Sequence, residues 1–159
     1  MRGFARELRV QFGESEINGL AESIAGWKPF PDTVPGLRRL KSGYRLGILS
    51  NIDDELFALT AKQLEVAFDV VVTAEQARAY KPSRRNFELL LDRLGVAKDK
   101  LLHAAESLYH DVAPAREMGI ATVWVNRRQG RAAAASRLAE VKPDIEVATV
   151  GELAGIAVG

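Results

Sequence analysis

No cysteine occurs anywhere in the 159 residues. Disulfide frameworks, thiolate nucleophiles and Cys-ligated zinc are thereby excluded, as suits a reducing compartment, and a cytoplasmic location is the expectation. No run of about 18 apolar residues exists, so no helical membrane span is expected. Charge of one sign is not in excess either. The 22 Lys and Arg residues stand against 21 Asp and Glu, interspersed along the chain. That leaves no basic stripe for nucleic acid and no acidic, disordered tail. The opening "MRGFARELRVQFG" is charged and has no apolar segment, unlike a secretory signal. Internal repeats, low-complexity tracts and obvious linkers are missing too.

What remains is an ordinary globular composition, 47% hydrophobic and 27% charged, in a chain of one-domain size with material for a real core. Residues 1–30 read as helical, with Phe4, Leu8 and Phe12 near helical spacing and a weaker segment around Ile17, Leu20 and Ile24. Asp32 or Thr33 can cap a helix that carries Val34, Leu37 and Leu40 and stops near Ser42–Gly43. From Tyr44 onward the chain alternates. "YRLGILSN" reads as a strand, residues 53–66 as a helix and "FDVVVT" as a β-branched strand. Residues 83–94 form an amphipathic helix closed by Gly95. "LLHAA" is a strand, 111–118 a helix, "ATVWV" a strand and Ala132–Leu138 a helix. "DIEVAT" is a last, more polar strand, followed by a short turn or helix at Val150–Ala154.

Strands alternating with crossover-length helices predict an α/β fold with a parallel, doubly wound sheet and helices on both faces. The near-continuous apolar strands fit a sheet covered on both sides. Ligands of such sheets bind beyond the C-terminal strand ends, and the residues there are informative. Ser50 and Asn51 follow the first strand, and Lys81 sits in the loop after the second. Glu106, Ser107 and Asp111 follow "LLHAA"; Asn126, Arg127 and Arg128 follow "ATVWV". A hydroxyl or amide at a strand-to-helix turn can bind an oxyanion. A lysine can neutralise developing charge. A carboxylate pair suits a hard cation such as Mg²⁺. Each residue also has a plainer role. Ser50 and Asn51 can cap the next helix, Lys81 can be solvated, and Glu106 and Asp111 can favour a helix dipole. His103 reads as a strand residue packed in the sheet, His110 as a surface or capping residue. Only the ordered set, each member at a strand end, lifts the functional reading above these.

That set resembles the haloacid dehalogenase-like hydrolase superfamily. "LGILSN", ending the strand at Ser50, is similar to its second motif, and "YKPS" with Lys81 to its third. "AAESLYHD" resembles its fourth, with Glu106 in place of the first acid, Ala105 in place of a glycine, and Ser107 and Asp111 retained. "PFPDTVPGLRRLKSGYRLGILSN", "VVTAEQARAYKPS" and "VAPAREMGIATVWVNRR" resemble the type II 2-haloacid dehalogenase branch. The resemblance implies a Rossmann-like core over residues 31–159, preceded by a helical remnant of a cap domain over residues 1–30. It further implies hydrolysis of a small molecule through an aspartyl intermediate. Ser50, Asn51, Lys81, Ser107 and Asp111 would be the site. Ser50 would hold the leaving or transferred group, and Lys81 would neutralise the nucleophile. In a phosphatase of the same superfamily Glu106 and Asp111 would bind Mg²⁺; a dehalogenase would need no metal.

The family's first motif, a strand ending in the nucleophilic Asp, is not found. Asp53 and Asp54 follow Ser50 and belong to the next helix, and Asp69 precedes its apolar run instead of ending it. The family fold places that strand between the Ser50 and Glu106 strands. Each unpaired buried backbone group costs roughly 1–3 kcal/mol against a total stability of about 5–15 kcal/mol, so the gap is not expected to stay empty. A strand from another chain could fill it, as in a homodimer that completes the sheet. The flanking strands could pair directly, or "ELRVQF" (Glu7–Phe12) could be recruited. The expectation is an incomplete version of such an enzyme, turning over substrate poorly or not at all by itself. Non-catalytic use as a binding or assembly module is the alternative.

Overall fold

A computed structural model of the chain describes Gly19, residues 23–128 and residues 140–159. The expected helix at Ala132–Leu138, the segment "ELRVQF" and most of the helical stretch over residues 1–30 lie outside the described residues. Ile24–Gly26 forms a single 3₁₀ turn. Then follow α1 (Thr33–Gly43), β1 (Gly47–Ser50), α2 (Asp54–Leu64), β2 (Val70–Thr73), the one-turn α3 (Ala74–Ala77) and α4 (Arg84–Leu94). After a 3₁₀ turn at Lys98–Lys100 come β3 (Leu102–Ala105), a π-helical turn (Leu108–Val112), α5 (Ala113–Glu117), β4 (Ala121–Val125), β5 (Ile145–Val147) and α6 (Val150–Val158).

Local chemistry accounts for the helix ends. Asp53 accepts the Leu56 N–H at 2.8 Å and so caps α2, the role that composition also allowed Ser50 and Asn51. Thr73 caps α3 through the Gln76 N–H. Thr149 caps α6 through Glu152, whose carboxylate reaches back to the Ala148 N–H in a capping-box-like exchange. Gly95, at φ +62°, ends α4 in the left-handed region that glycine adopts without strain.

All strand pairs are parallel, but the expected single sheet is two half-sheets among the described residues: β1–β2, and β3–β4–β5. The inner edges of β1 and β3 do not pair with each other. Between them lies a slot of about 520 Å³, lined by Gly47, Ile48 and Leu49 on one side and Leu102 through Ala105 on the other. Helices hold the two halves together. On one face Leu90 and Leu94 of α4 pack with Val72, Leu49 and Leu101, while Phe87 packs with Ala115, Met118 and Ile120, again touching Leu49 and Leu101. On the other face Leu153 of α6 and Leu40 of α1 cover Val123, Val125 and Val147. Fully buried apolar side chains are worth roughly 1.5–3 kcal/mol each. The α4 layer, through Leu49 and Leu101, therefore joins the two halves where no strand among the described residues does.

Asp32 secures the second layer. Its carboxylate does not cap its own helix, α1. Instead it takes both η nitrogens of Arg127 at 2.8 and 3.0 Å and the first N–H groups of α6, Val150 at 2.9 Å and Gly151 at 3.3 Å. Arg127 also lies 4.2 Å over the Phe30 ring. The charged fork and the helix N-terminus compete successfully for the acid because a bidentate guanidinium and free N–H donors together offer more than one local cap. Close approach of α1 to α6 needs Gly36, where an added Cβ would stand 3.0 Å from the Val150 side chain. The Arg127 hydrogen bonds hold the Asp32 carboxyl below its ordinary value of 3.8, against the opposing effect of burial. A depressed folded pKa means stabilisation that is present above the unfolded value and lost as pH falls through the folded one. Asp32→Asn is therefore expected to lower stability by about 1–3 kcal/mol at pH 7. In urea titrations at a series of pH values, the difference from wild type shrinks as pH falls below 3.8.

Candidate active site

At the C-terminal rim of the slot, the sequence-selected residues meet. Asp111 falls inside the π-helical turn, where its N–H and that of Val112 both reach the Ser107 carbonyl, at 3.1 and 3.2 Å. The wider turn points a carboxylate that is only 7% exposed back toward the strand ends. Lys81 reaches it from the loop after α3, with Nζ 2.7 Å from Asp111 Oδ1. The same ammonium donates to the Leu49 carbonyl on β1 at 2.9 Å. Lys81 thus spans the slot, tied to β1 on one side and to the β3–α5 connection on the other. An ammonium has three donors, and one remains without a partner among the described residues.

Asn51 sets the lysine's backbone. Its side-chain oxygen accepts the Lys81 N–H at 2.6 Å and its amide donates to the Lys81 carbonyl at 3.1 Å. This two-way pairing locks the β1 loop to the Lys81 loop. Ser50 ends β1, one residue beyond the carbonyl that holds Lys81. Its hydroxyl has no hydrogen-bond partner among the described residues. Ser50 and Asn51 line a second cavity of about 770 Å³ together with Tyr80, Arg78 and Leu56, open beside the slot.

His103 is a site residue that sequence reasoning placed only as sheet packing. It is buried, its ring stands edge-on to Phe87 with centroids 5.1 Å apart, and its Nε2 lies 3.0 Å from Asp111 Oδ1. The available signal was a polar residue two positions before the end of the otherwise apolar "LLHAA". Burial pushes the Asp111 carboxyl up, but the His103 hydrogen bond and the Lys81 charge outweigh it, holding the group below its ordinary value. Asp111 is therefore an anion whose role is to fix Lys81.

The other two sequence-selected residues sit apart from this pair. Ser107 accepts the His110 N–H at 3.1 Å and contacts its Nδ1 at 3.0 Å, so it caps the π turn, and His110 serves that turn in return. Glu106 is half exposed with its carboxylate 3.9 Å from Arg128, while its carbonyl accepts the Trp124 indole N–H. Among the described residues no group of three or more His, Asp or Glu side chains converges as a metal site. Asp111 Oδ1 is shared by Lys81 and His103, and the Glu106 carboxylate stands 3.9 Å from Arg128. Among the described residues no helix is long and apolar enough to cross a membrane.

Comparison with known proteins bears on the family and the fold. The sequence profile of haloacid dehalogenase-like hydrolases matches residues 2–119. An (S)-2-haloacid dehalogenase of Pseudomonas putida is 28% identical over 136 residues, 82% of this chain and 58% of that protein. A glyceraldehyde 3-phosphate phosphatase of Methanothermobacter thermautotrophicus is 34% identical over 108 residues, 62% of this chain and 45% of its own. The L-2-haloacid dehalogenase structure from Xanthobacter autotrophicus superposes with a TM-score of 0.82 at 22% identity, covering 96% of this chain and 70% of that one. The chain thus spans about half the length of the curated dehalogenases it matches. A profile match over most of the chain, an α/β core of parallel strands and a lysine–carboxylate pair at the strand-end rim lead to one assignment: the chain belongs to the haloacid dehalogenase-like hydrolase family.

Proposed function

We propose that this chain carries most of the catalytic rim of a 2-haloacid dehalogenase-type hydrolase and that by itself it is a poor catalyst. The observation that carries this is the Lys81 ammonium, held by Asp111 at 2.7 Å and the Leu49 carbonyl at 2.9 Å, with a third donor unpartnered among the described residues. A buried cation anchored on two sides is preorganised for an anion that has still to arrive, and such fixed charge needs no rearrangement during reaction. A 2-haloacid carboxylate, or an attacking carboxylate, suits the open donor.

In the proposed reaction a carboxylate attacks the carbon that bears the halogen. A C–O bond forms, the C–halogen bond breaks, and the halide leaves with the electron pair. Water then hydrolyses the ester, giving a 2-hydroxy acid and returning the carboxylate. Lys81 lowers the energy of the carboxylate and of the ester intermediate. Asp111 and His103 keep Lys81 in place, and Asn51 holds its loop. The Ser50 hydroxyl, unpartnered among the described residues and lining the cavity beside the slot, is suited to donate to the departing group. The attacking carboxylate is not among the described acids at this rim: Asp111 is spent on Lys81 and His103, and Asp53 caps α2. That is the reason for expecting weak turnover. Similarity to several 2-haloacid dehalogenases favours dehalogenation over a Mg²⁺-dependent route. Phosphatase activity is a second reading, favoured by the 34% identity to a phosphatase; a non-catalytic binding or assembly module is the third.

Halide release from 2-chloropropionate and phosphate release from an aryl phosphate, each with and without EDTA, separate these. Any turnover is expected to be slow, to favour the haloacid, to persist in EDTA and to vanish in Lys81→Ala. EDTA-sensitive phosphate release would select the phosphatase, and silence on both substrates would select the module. Brisk turnover by Lys81→Ala would put the chemistry elsewhere. Stability reports on the same pair, because the lysine and aspartate side chains are only 11% and 7% exposed. Lys81→Ala is expected to cost about 3–5 kcal/mol, as a buried charge left unpaired does. Combining it with Asp111→Ala is expected to cost less than the sum of the two single changes, read from urea midpoints.

A further inference from the structure

Arg78 is held in a backbone conformation that its residue type does not favour. It follows the one-turn α3 at φ +50° and ψ 36°, in the left-handed region. Its N–H reaches back to the Ala74 and Glu75 carbonyls and closes the turn. Helix ends of this shape usually carry glycine, because a side chain is strained there. The other non-glycine residue at positive φ among the described residues, Glu65, pairs its side chain with Arg38. The Arg78 side chain has no hydrogen bond or ion pair among the described residues. It lines the cavity of about 770 Å³ that Ser50 and Asn51 also line. Backbone strain retained in the wall of a site points to a use for the side chain that it carries.

We infer that Arg78 is a specificity residue that takes the second carboxylate of a 2-halo dicarboxylic acid. The inference rests on the proposed function for the reacting end of that substrate, at Lys81 and Ser50, and extends it at the other end. Arg78 stands three residues before Lys81 and is the one cation lining the cavity among the described residues. Ile52, Leu56 and Ala79 give the same cavity apolar wall, fit for a short carbon chain. Its volume lies in the range of pockets that take drug-sized ligands, more than a two- or three-carbon haloacid occupies. A guanidinium meets a carboxylate with two parallel hydrogen bonds, so it selects a planar second carboxylate over a methyl group. Two acids line the cavity as well, Asp53 and Glu75. Both are turned onto the first turn of α2: Asp53 accepts the Leu56 N–H at 2.8 Å, and Glu75 accepts the Asp54 N–H at 2.9 Å. The helix N-terminus offsets their charge, and neither pairs with Arg78. Dehalogenation of such a substrate follows the steps already given, with a 2-hydroxy dicarboxylic acid as product.

Calorimetric titration of the full chain with 2-chlorosuccinate and with 2-chloropropionate, which differ by that one carboxylate, tests the assignment. Wild type should bind 2-chlorosuccinate about tenfold more tightly at low salt. The margin should shrink as salt is raised, since Arg78 is exposed. Arg78→Gly should bring the ratio of the two affinities to near one, and Arg78→Lys should keep part of it. Glycine adopts φ +50° without strain, so Arg78→Gly should melt at or above the wild-type temperature. Equal binding of the two acids by wild type, or an undiminished ratio in Arg78→Gly, would overturn the inference. A lowered Tm in Arg78→Gly would overturn it too, by showing an arginine that serves the fold. The proposed function is read separately, because Lys81→Ala should weaken both acids. Binding of 2-chlorosuccinate that depends on Arg78 but is indifferent to Lys81→Ala would reject that function and leave the Arg78 contact standing. Absence of binding by either acid would overturn both.

Discussion

One ammonium group joins what the backbone leaves apart. Lys81 Nζ touches β1 at the Leu49 carbonyl and the β3–α5 connection at Asp111, and no strand among the described residues bridges the same gap. The interaction is short, nearly dry and flanked by a second donor, His103. A charge pair in this setting has little stabilising surplus over well-packed apolar groups, yet each partner is costly to leave alone. Its consequence is therefore specificity of arrangement. The π turn, the Lys81 loop and the end of β1 are all positioned by reference to a single nitrogen. In the proposed function the same nitrogen is the point of contact for a substrate or nucleophile anion.

In the proposed function structure and chemistry share this residue. If Lys81 only closed a hole, its third donor would be expected to find a neighbour, and among the described residues it has none. If it only served catalysis, the Leu49 carbonyl would be satisfied by backbone. Its double attachment accommodates both, and Asn51 reinforces it by pairing with the lysine's own peptide groups. The helical layers supply the rest of the rigidity. Phe87, Leu90 and Leu94 of α4 reach across toward both half-sheets through Leu49 and Leu101. On the far face, Asp32 ties Arg127 at the end of β4 to the first turn of α6.

Much of this was legible beforehand because strand and helix periodicities are local. The apolar runs at 47–50, 70–73, 102–105 and 121–125 and the helices at 33–43, 54–64 and 84–94 follow from spacing, caps and terminal glycine. Polar residues at strand ends are equally local, so Ser50, Asn51, Lys81 and Asp111 could be named as a set. Side-chain direction is not local. Asp32 could cap its own helix, and the deciding partners stand 95 and 118 positions away. His103 looked like filler because its partner emerges only when the chain turns through the π helix. Glu106 and Ser107 satisfied a motif in spacing, but their side chains turned to Arg128 and His110.

The amino-acid order by itself determined the alternation of strands and helices, their ends and the identity of the lysine and acid, since propensity, capping and burial pattern act over a few neighbouring residues. Only the tertiary structure decided that the lysine takes Asp111 and not Glu106. Only it decided that Asp32 serves α6, and that β1 and β3 stand apart around a slot instead of pairing. Those outcomes depend on distances between segments far apart in sequence. Such distances are set by how two helical layers pack, and no short stretch of chain contains that information.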